Sequence, residues 1–129
     1  MGLTFDTGAL IGLERERHAM RKVYVTAIAN ELPITVPAVV IAEWWRAGAR
    51  EKERARILRS VIVEPITDLV ARLAGVALTL VPEVHTVDAL VMASASQRGN
   101  EVVYTSDPSD FEALRNGVPA FASVRIERA

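Results

Sequence analysis

No cysteine occurs in the 129-residue chain, which removes disulfides, thiolate nucleophiles and zinc clusters of the finger type. Histidine is almost as scarce, with only His18 and His85, too few for an imidazole-based transition-metal site. Any metal must be held mainly by oxygen. The only lysines are Lys22 and Lys52, so the positive charge is nearly all arginine, whose planar guanidinium favours bidentate contacts with phosphate or carboxylate. Excess charge of one sign is missing too: a formal net charge of -1 argues against coating nucleic acid by bulk electrostatics and leaves only local patches. The longest apolar runs, Val36 to Ala42 and Leu73 to Val81, fall short of the roughly 20 residues that span a bilayer. No membrane span is expected. The opening Met-Gly-Leu-Thr-Phe-Asp has no basic region and no cleavage motif, so a cytoplasmic location is expected.

What is present is a globular balance, 50% hydrophobic and 24% charged, in a length that suits one domain over residues 1–129. Leu3-Thr4-Phe5 reads as a short strand ending at Asp6, with a helix after it. A second helix runs from about His18 to Asn30, with Met20, Val23, Tyr24, Ala27 and Ile28 on one stripe. Ile34-Thr35-Val36 is a strand, and Pro37 suits the first turn of a helix that carries Val39, Val40, Glu43, Trp44, Trp45 and Arg46. Residues 51–59 are charged and helical, and Val61-Ile62-Val63 is a third strand. Residues 68–81 form an amphipathic helix with Leu69, Leu73, Val76 and Leu80 on its apolar face. Thr86 caps a further apolar helix that Gly99 closes. Glu101 to Thr105 is a strand, Asp107 to Arg115 a helix, and Phe121 to Ile126 a last strand. Alternation of strands and helices predicts an α/β fold with a mainly parallel sheet covered on both faces.

In such sheets, sites form at the carboxyl ends of strands. Asp6 and Asp107 occupy two such ends, Glu43 lies about two turns into the helix after the second strand, and Asp88 sits in the first turn of an apolar helix. Each has a bland explanation. Asp6 is a favoured N-cap, Asp88 answers a helix dipole, and Asp107-Pro108-Ser109-Asp110 spells an N-cap, a proline at N1 and an acid at N3. Glu43 has less of one, since it interrupts Val39-Val40-Ile41-Ala42 in a helix fit for burial, where an unpaired carboxylate is costly. Four converging carboxylates would repel by roughly 4 kcal/mol per close pair at an intermediate dielectric, which a hard divalent cation relieves.

Phe5-Asp6-Thr7-Gly8-Ala9-Leu10, Ala42-Glu43-Trp44-Trp45-Arg46, Val87-Asp88-Ala89-Leu90-Val91-Met92-Ala93 and Thr105-Ser106-Asp107-Pro108-Ser109-Asp110-Phe111 follow one another in this order. In that ordered set the chain resembles PIN domains, in particular the VapC-type toxins of bacterial toxin–antitoxin pairs. The resemblance implies a three-layer α/β/α fold and a metal-dependent endoribonuclease using Mg²⁺ or Mn²⁺. By it, Asp6, Glu43, Asp88 and Asp107 are the catalytic and metal-binding acids, with Asp110 as an accessory or alternative fourth, and the Thr105 hydroxyl steadies the site. The products it implies are a 5′-phosphate and a 3′-hydroxyl. It further implies a tRNA or rRNA substrate, a VapB-like antitoxin partner and a homodimer.

Arg46, Arg50 and Arg54 recur every four residues and read either as a ladder for the RNA backbone or as a solvated face paired with Glu51 and Glu53. Trp44 and Trp45 lie about 100° apart on a helix, so they cannot both enter one core. His18 and His85 read as surface residues. Phosphatases of the haloacid dehalogenase type and response-regulator receivers also place an Asp after the first strand. The first needs a second Asp where this chain has Gly8, and both need a strand-end lysine that neither Lys22 nor Lys52 provides. A non-enzymatic alternative is a PIN-fold module that keeps partner binding without activity.

Overall fold

The computed structural model describes residues 1–129. In chain order the elements are β1 (Gly2–Phe5), α1 (Thr7–Glu14), α2 (His18–Ala29), β2 (Ile34–Pro37), α3 (Ala38–Trp44), α4 (Glu51–Arg59), β3 (Ile62–Glu64), α5 (Asp68–Leu80), α6 (Thr86–Ser96), β4 (Glu101–Thr105), α7 (Pro108–Gly117), a 3-10 turn (Pro119–Phe121) and β5 (Arg125–Arg128). The strands form one parallel sheet in the order β3-β2-β1-β4-β5. β1 is central, with Leu3 opposite both Ile34 and Val102. The chain moves outward from it to β3, crosses back, and moves outward again to β5. With right-handed crossovers, that reversal puts α1 to α4 on one face and α5 to α7 on the other. It also opens a crevice at the carboxyl ends of β1 and β4.

The central strands are buried because each lies between two strands and under helices on both faces. Phe5, Val36 and Val103 are fully enclosed. Alternation along β1 sends Thr4 to the face opposite Phe5, and there the core is polar. Arg98, just past the end of α6, donates to Glu64 (2.6 Å) and to Thr4 (2.5 Å), and the Thr4 hydroxyl donates to the buried Glu101 (3.0 Å). These bonds fasten α6, the helix of Asp88, across β1, β3 and β4.

Several boundaries differ from expectation for physical reasons. Pro37 and His85 are the N-caps of α3 and α6, so Pro37 closes β2 rather than opening the helix and Thr86 is the first helical residue rather than the cap. α3 stops at Trp44, where Trp45 turns extended and the Arg46 guanidinium covers the carbonyls of Ala42 and Trp45. Arg46, Arg50 and Arg54 therefore do not share one helix and form no ladder. Trp44 enters the core while Trp45 is half-buried, as their angular separation requires. Phe121 lies in the 3-10 turn, where it fills the core completely, and the last strand starts only at Arg125.

The largest departure is in α5, whose buried stripe is Val70, Ala74 and Ala77 rather than the bulkier one. Small residues let α5 lie close along α6. Leu69, Val76 and Leu80 are left 62%, 56% and 54% exposed. No helix is long and apolar enough to cross a membrane.

Candidate active site

Asp6 follows directly on β1 and its extended backbone makes it the N-cap of α1, with Oδ1 accepting from the Ala9 amide at 2.9 Å. The capping reading is thus correct. Burial raises the carboxyl's pKa above its ordinary value; bonds from the Thr105 hydroxyl and the Ala9 and Gly8 amides work against the rise, and the charge of Glu43 adds to it. Gly8 is what allows this closeness. A Cβ there would stand 2.1 Å from Ser106 Oγ and 3.0 Å from the Ser106 amide nitrogen, so only glycine lets the start of α1 touch the turn after β4.

Glu43 is not buried, contrary to the expectation for its helix. α3 turns Val40 and Trp44 inward and leaves Glu43 exposed, where Oε1 accepts a 2.6 Å hydrogen bond from the Thr7 hydroxyl. Asp88, in the first turn of α6, is half-buried, and its pKa is pushed up to about 7. Burial is the main cause, followed by a hydrogen bond to Asp110 and by the negative charges of Asp110, Asp6 and Glu43. The charges of Glu43, Asp110 and Asp6 thus reach Asp88, and that of Glu43 reaches Asp6, across the crevice at the ends of β1 and β4.

Asp107 stands at the rim. It is the exposed N-cap of α7 without a side-chain cap bond; its amide donates to Thr105 Oγ1 at 3.0 Å and its carboxylate accepts from Ser109 at 2.8 Å. It is absent from the groups that shift Asp6 and Asp88. Thr105 thereby links the Asp6 carboxylate to the turn that presents Asp107. Arg46 is exposed. Arg50 is turned away to Glu14, with Nε 3.0 Å from the carboxylate and Nη2 3.0 Å from the backbone oxygen. His18 and His85 are both exposed and take no part.

No three of these acids lie within ligating distance of a common point. The donor set is nonetheless all oxygen, and it concentrates negative charge where burial already penalises it. That chemistry fits a hard divalent cation and no softer one.

A PIN domain profile matches residues 3–116. The chain belongs to the PIN domain family. PIN domains are generally nucleases that use divalent metals, and membership supports a hydrolase. The fold is similar to that of VapBC2 from Rickettsia felis bound to a DNA fragment from its promoter, with a TM-score of 0.77 at 13% identity, covering 100% of this chain and 99% of that one. DNA-bound VapBC from Salmonella typhimurium gives 0.71 at 15% identity, covering 99% and 98%. A toxin–antitoxin complex from Klebsiella pneumoniae gives 0.63 at 21% identity, covering 96% and 95%. At such identities the likeness is one of fold. No curated protein matches in sequence.

Two residues important to this PIN domain's crevice escaped sequence reasoning. Thr7 directly follows Asp6, and that adjacency was the only signal that its hydroxyl would serve the site. Glu14 gave no local signal at all. It is 6% exposed at the end of α1 and accepts from Trp44 Nε1 (3.0 Å) and Arg54 Nε (2.8 Å). Helix α1 thus holds two consecutive residues of α3, Glu43 through its first residue and Trp44 through its last.

Proposed function

We propose that this PIN domain is a metal-dependent endoribonuclease and the toxin of a toxin–antitoxin pair, cutting RNA phosphodiesters to leave a 5′-phosphate and a 3′-hydroxyl. The observation that carries the reading is one crevice in which burial and neighbouring carboxylates, Glu43 for Asp6 and Asp110, Asp6 and Glu43 for Asp88, raise the carboxyls of Asp6 and Asp88. Support also comes from family membership and from the fold shared with VapBC complexes.

Asp6, Asp88 and Asp110 would hold Mg²⁺ or Mn²⁺ through carboxylate oxygens, with Glu43 completing the set and Asp107 contributing from the rim. When bound, such a cation lowers the pKa of water and neutralises charge on the phosphate during in-line displacement. The Thr7 bond fixes one Glu43 oxygen and leaves Oε2 free to take a proton from the attacking water. Thr105 orients Asp6, and the exposed Arg46, whose bonds to the Ala42 and Trp45 carbonyls use Nη1 alone, would meet a phosphate of the RNA through Nη2. Arg50, bound to Glu14, contributes less. The partners in this reading are a structured RNA such as tRNA or rRNA and a VapB-like antitoxin, and the place of action is the cytoplasm.

The test is cleavage of a panel of structured RNAs by partner-free protein in Mg²⁺ or Mn²⁺, beside an EDTA control and Asp88→Asn. Cleavage that disappears in both controls and leaves 5′-phosphate ends is expected. Products ending in a 2′,3′-cyclic phosphate would mean attack by the RNA's own hydroxyl and would overturn the mechanism. No cleavage, with no Mn²⁺ binding by calorimetry, would leave a non-catalytic binding module.

A further inference from the structure

Strand β5 ends with an arginine that nothing in the fold neutralises. Its register with β4 sets Arg128 opposite Thr105. Alternation puts Arg128 with Ile126 and Val103 on the face that α6 and α7 cover, while Arg125 and Glu127 share the other face with Tyr104. Arg125 and Glu127 answer each other there at 3.9 Å, and such charges suffice to guard an edge strand against unwanted pairing. Arg128 has no carboxylate partner. It is exposed, and its guanidinium makes one hydrogen bond, from Nη1 to the Ser106 carbonyl at 3.4 Å. Nε and Nη2 stay open to solvent.

The residue it holds is part of the crevice wall. Ser106 stands between Thr105, whose hydroxyl bonds Asp6, and Asp107, and it lies against Gly8 at the start of α1. Topology sends the other arginines that lack an ion pair elsewhere. Arg59 closes α4 before β3 and Arg115 closes α7 before β5, so both belong to the edge where strands begin. Arg15 caps α1 at the end away from Asp6. An acidic crevice repels a polyanion, and an unpaired guanidinium on its wall offsets that repulsion locally. We infer that Arg128 is a substrate-binding residue, which takes through Nε and Nη2 a backbone phosphate of the RNA on the β5 side of the cut. A guanidinium fork suits two phosphate oxygens at once. The contact fixes where the strand lies and carries no base preference. The inference takes its ligand from the nuclease reading and adds the side on which that ligand is held.

Fluorescence anisotropy tests it, with the structured RNAs of the cleavage panel labelled with fluorescein and bound in Ca²⁺ over a range of salt. Wild type is compared with Arg128→Gln, Arg128→Lys and, as a control from the opposite edge, Arg59→Gln. Arg128→Gln is expected to bind about five- to tenfold more weakly, with the slope of log affinity against log salt smaller by about 0.7–0.9. Arg128→Lys should keep the wild-type slope and recover part of the affinity, Arg59→Gln should bind as wild type does, and all thermal melts should coincide. Wild-type affinity and slope in Arg128→Gln overturn the inference, whether or not the panel is cut. So does an equal loss in Arg59→Gln, which would mean bulk charge alone, or a wild type that binds none of the RNAs. RNA bound with the expected differences yet never cut in Mg²⁺ or Mn²⁺ upholds the Arg128 contact and overturns the nuclease reading alone.

Discussion

Asp110 is, after burial, the strongest influence raising the Asp88 carboxyl, and each is the third residue of a helix, α6 for Asp88 and α7 for Asp110. Both stand where helix amides favour negative charge, an effect worth about 0.3–1 kcal/mol at a helix N-terminus. Burial and the neighbouring carboxylates oppose it and win, since Asp88 is driven up to about 7 rather than down. Asp88 is therefore partly protonated in neutral solution, because the fold has buried it beside other negative charges.

The first consequence is a stability that falls with rising pH in metal-free protein. Asp88 and Asp6 bind protons more tightly folded than unfolded, so their contribution is complete below the unfolded value near 3.9 and is lost as pH climbs through about 7. Thermal melts in EDTA are expected to be higher at pH 5.5 than at pH 8. Added Mn²⁺ should raise the melt more at pH 8, because cation and proton compete for the same oxygens. A melt in EDTA that rises from pH 5.5 to 8 would contradict this.

Asp88, Asp110 and Asp107 differ in what their neutralisation should do. Asp88→Asn and Asp110→Asn each remove a charge from a repelling group and are expected to melt higher than wild type in EDTA at pH 8, by the equivalent of about 1 kcal/mol. Activity should fall at least a hundredfold in both. Asp107→Asn loses only a rim carboxylate bonded to Ser109 and should keep activity within about tenfold, with little change in melting. Parallel melts and cleavage assays of the three variants decide which acid completes the set.

How much of this was legible in the sequence depends on the distance over which each feature is decided. β1, β2, β4 and the helices after them were readable from apolar runs bounded by Pro, Gly and caps, and Asp6 and Asp88 followed from strand and helix ends. The burial of α5 was not, because periodicity reveals an apolar stripe without saying which of two the core will take. Asp107 and Asp110 occupy the same helix start, and only the rotation of α7 against α6 turns one toward Asp88. Glu14 was invisible because its partners lie 30 and 40 residues away, and nothing local demands them.

Thr7→Val tests whether the 2.6 Å bond to Glu43 matters to the chemistry. The substitution keeps shape and removes the donor, so Glu43 becomes free to sample other rotamers. Partners that orient a ligating carboxylate are worth about 10- to 100-fold in metal affinity or activity, and a loss in that range is expected at a stability cost below about 1 kcal/mol. Steady-state cleavage with a parallel denaturant melt makes the comparison, and wild-type turnover would show that Glu43 needs no such partner.

Glu14 should behave in the opposite way, with a large effect on stability. Its carboxylate is 6% exposed and receives Trp44 Nε1, Arg54 Nε and the Arg50 guanidinium. Arg54, at 16% side-chain exposure, has nowhere else to place its charge. Its other contacts in this region are the Arg46 carbonyl at 3.0 Å and the face of the Trp44 ring, 6.0 Å from its centroid, and neither can neutralise it. Removing one partner of a buried pair leaves the other uncompensated and costs about 3–5 kcal/mol, so Glu14→Ala is expected to lose stability on that scale in urea melts. Glu14→Gln keeps an acceptor for Trp44 and should recover part of the loss. Arg54→Met, which removes the buried cation while Arg50 remains to answer Glu14, should cost less than Glu14→Ala. Should Glu14→Ala melt within about 1 kcal/mol of wild type, the arginines must have escaped to solvent, and the tie between α1 and the end of α3 would be dispensable.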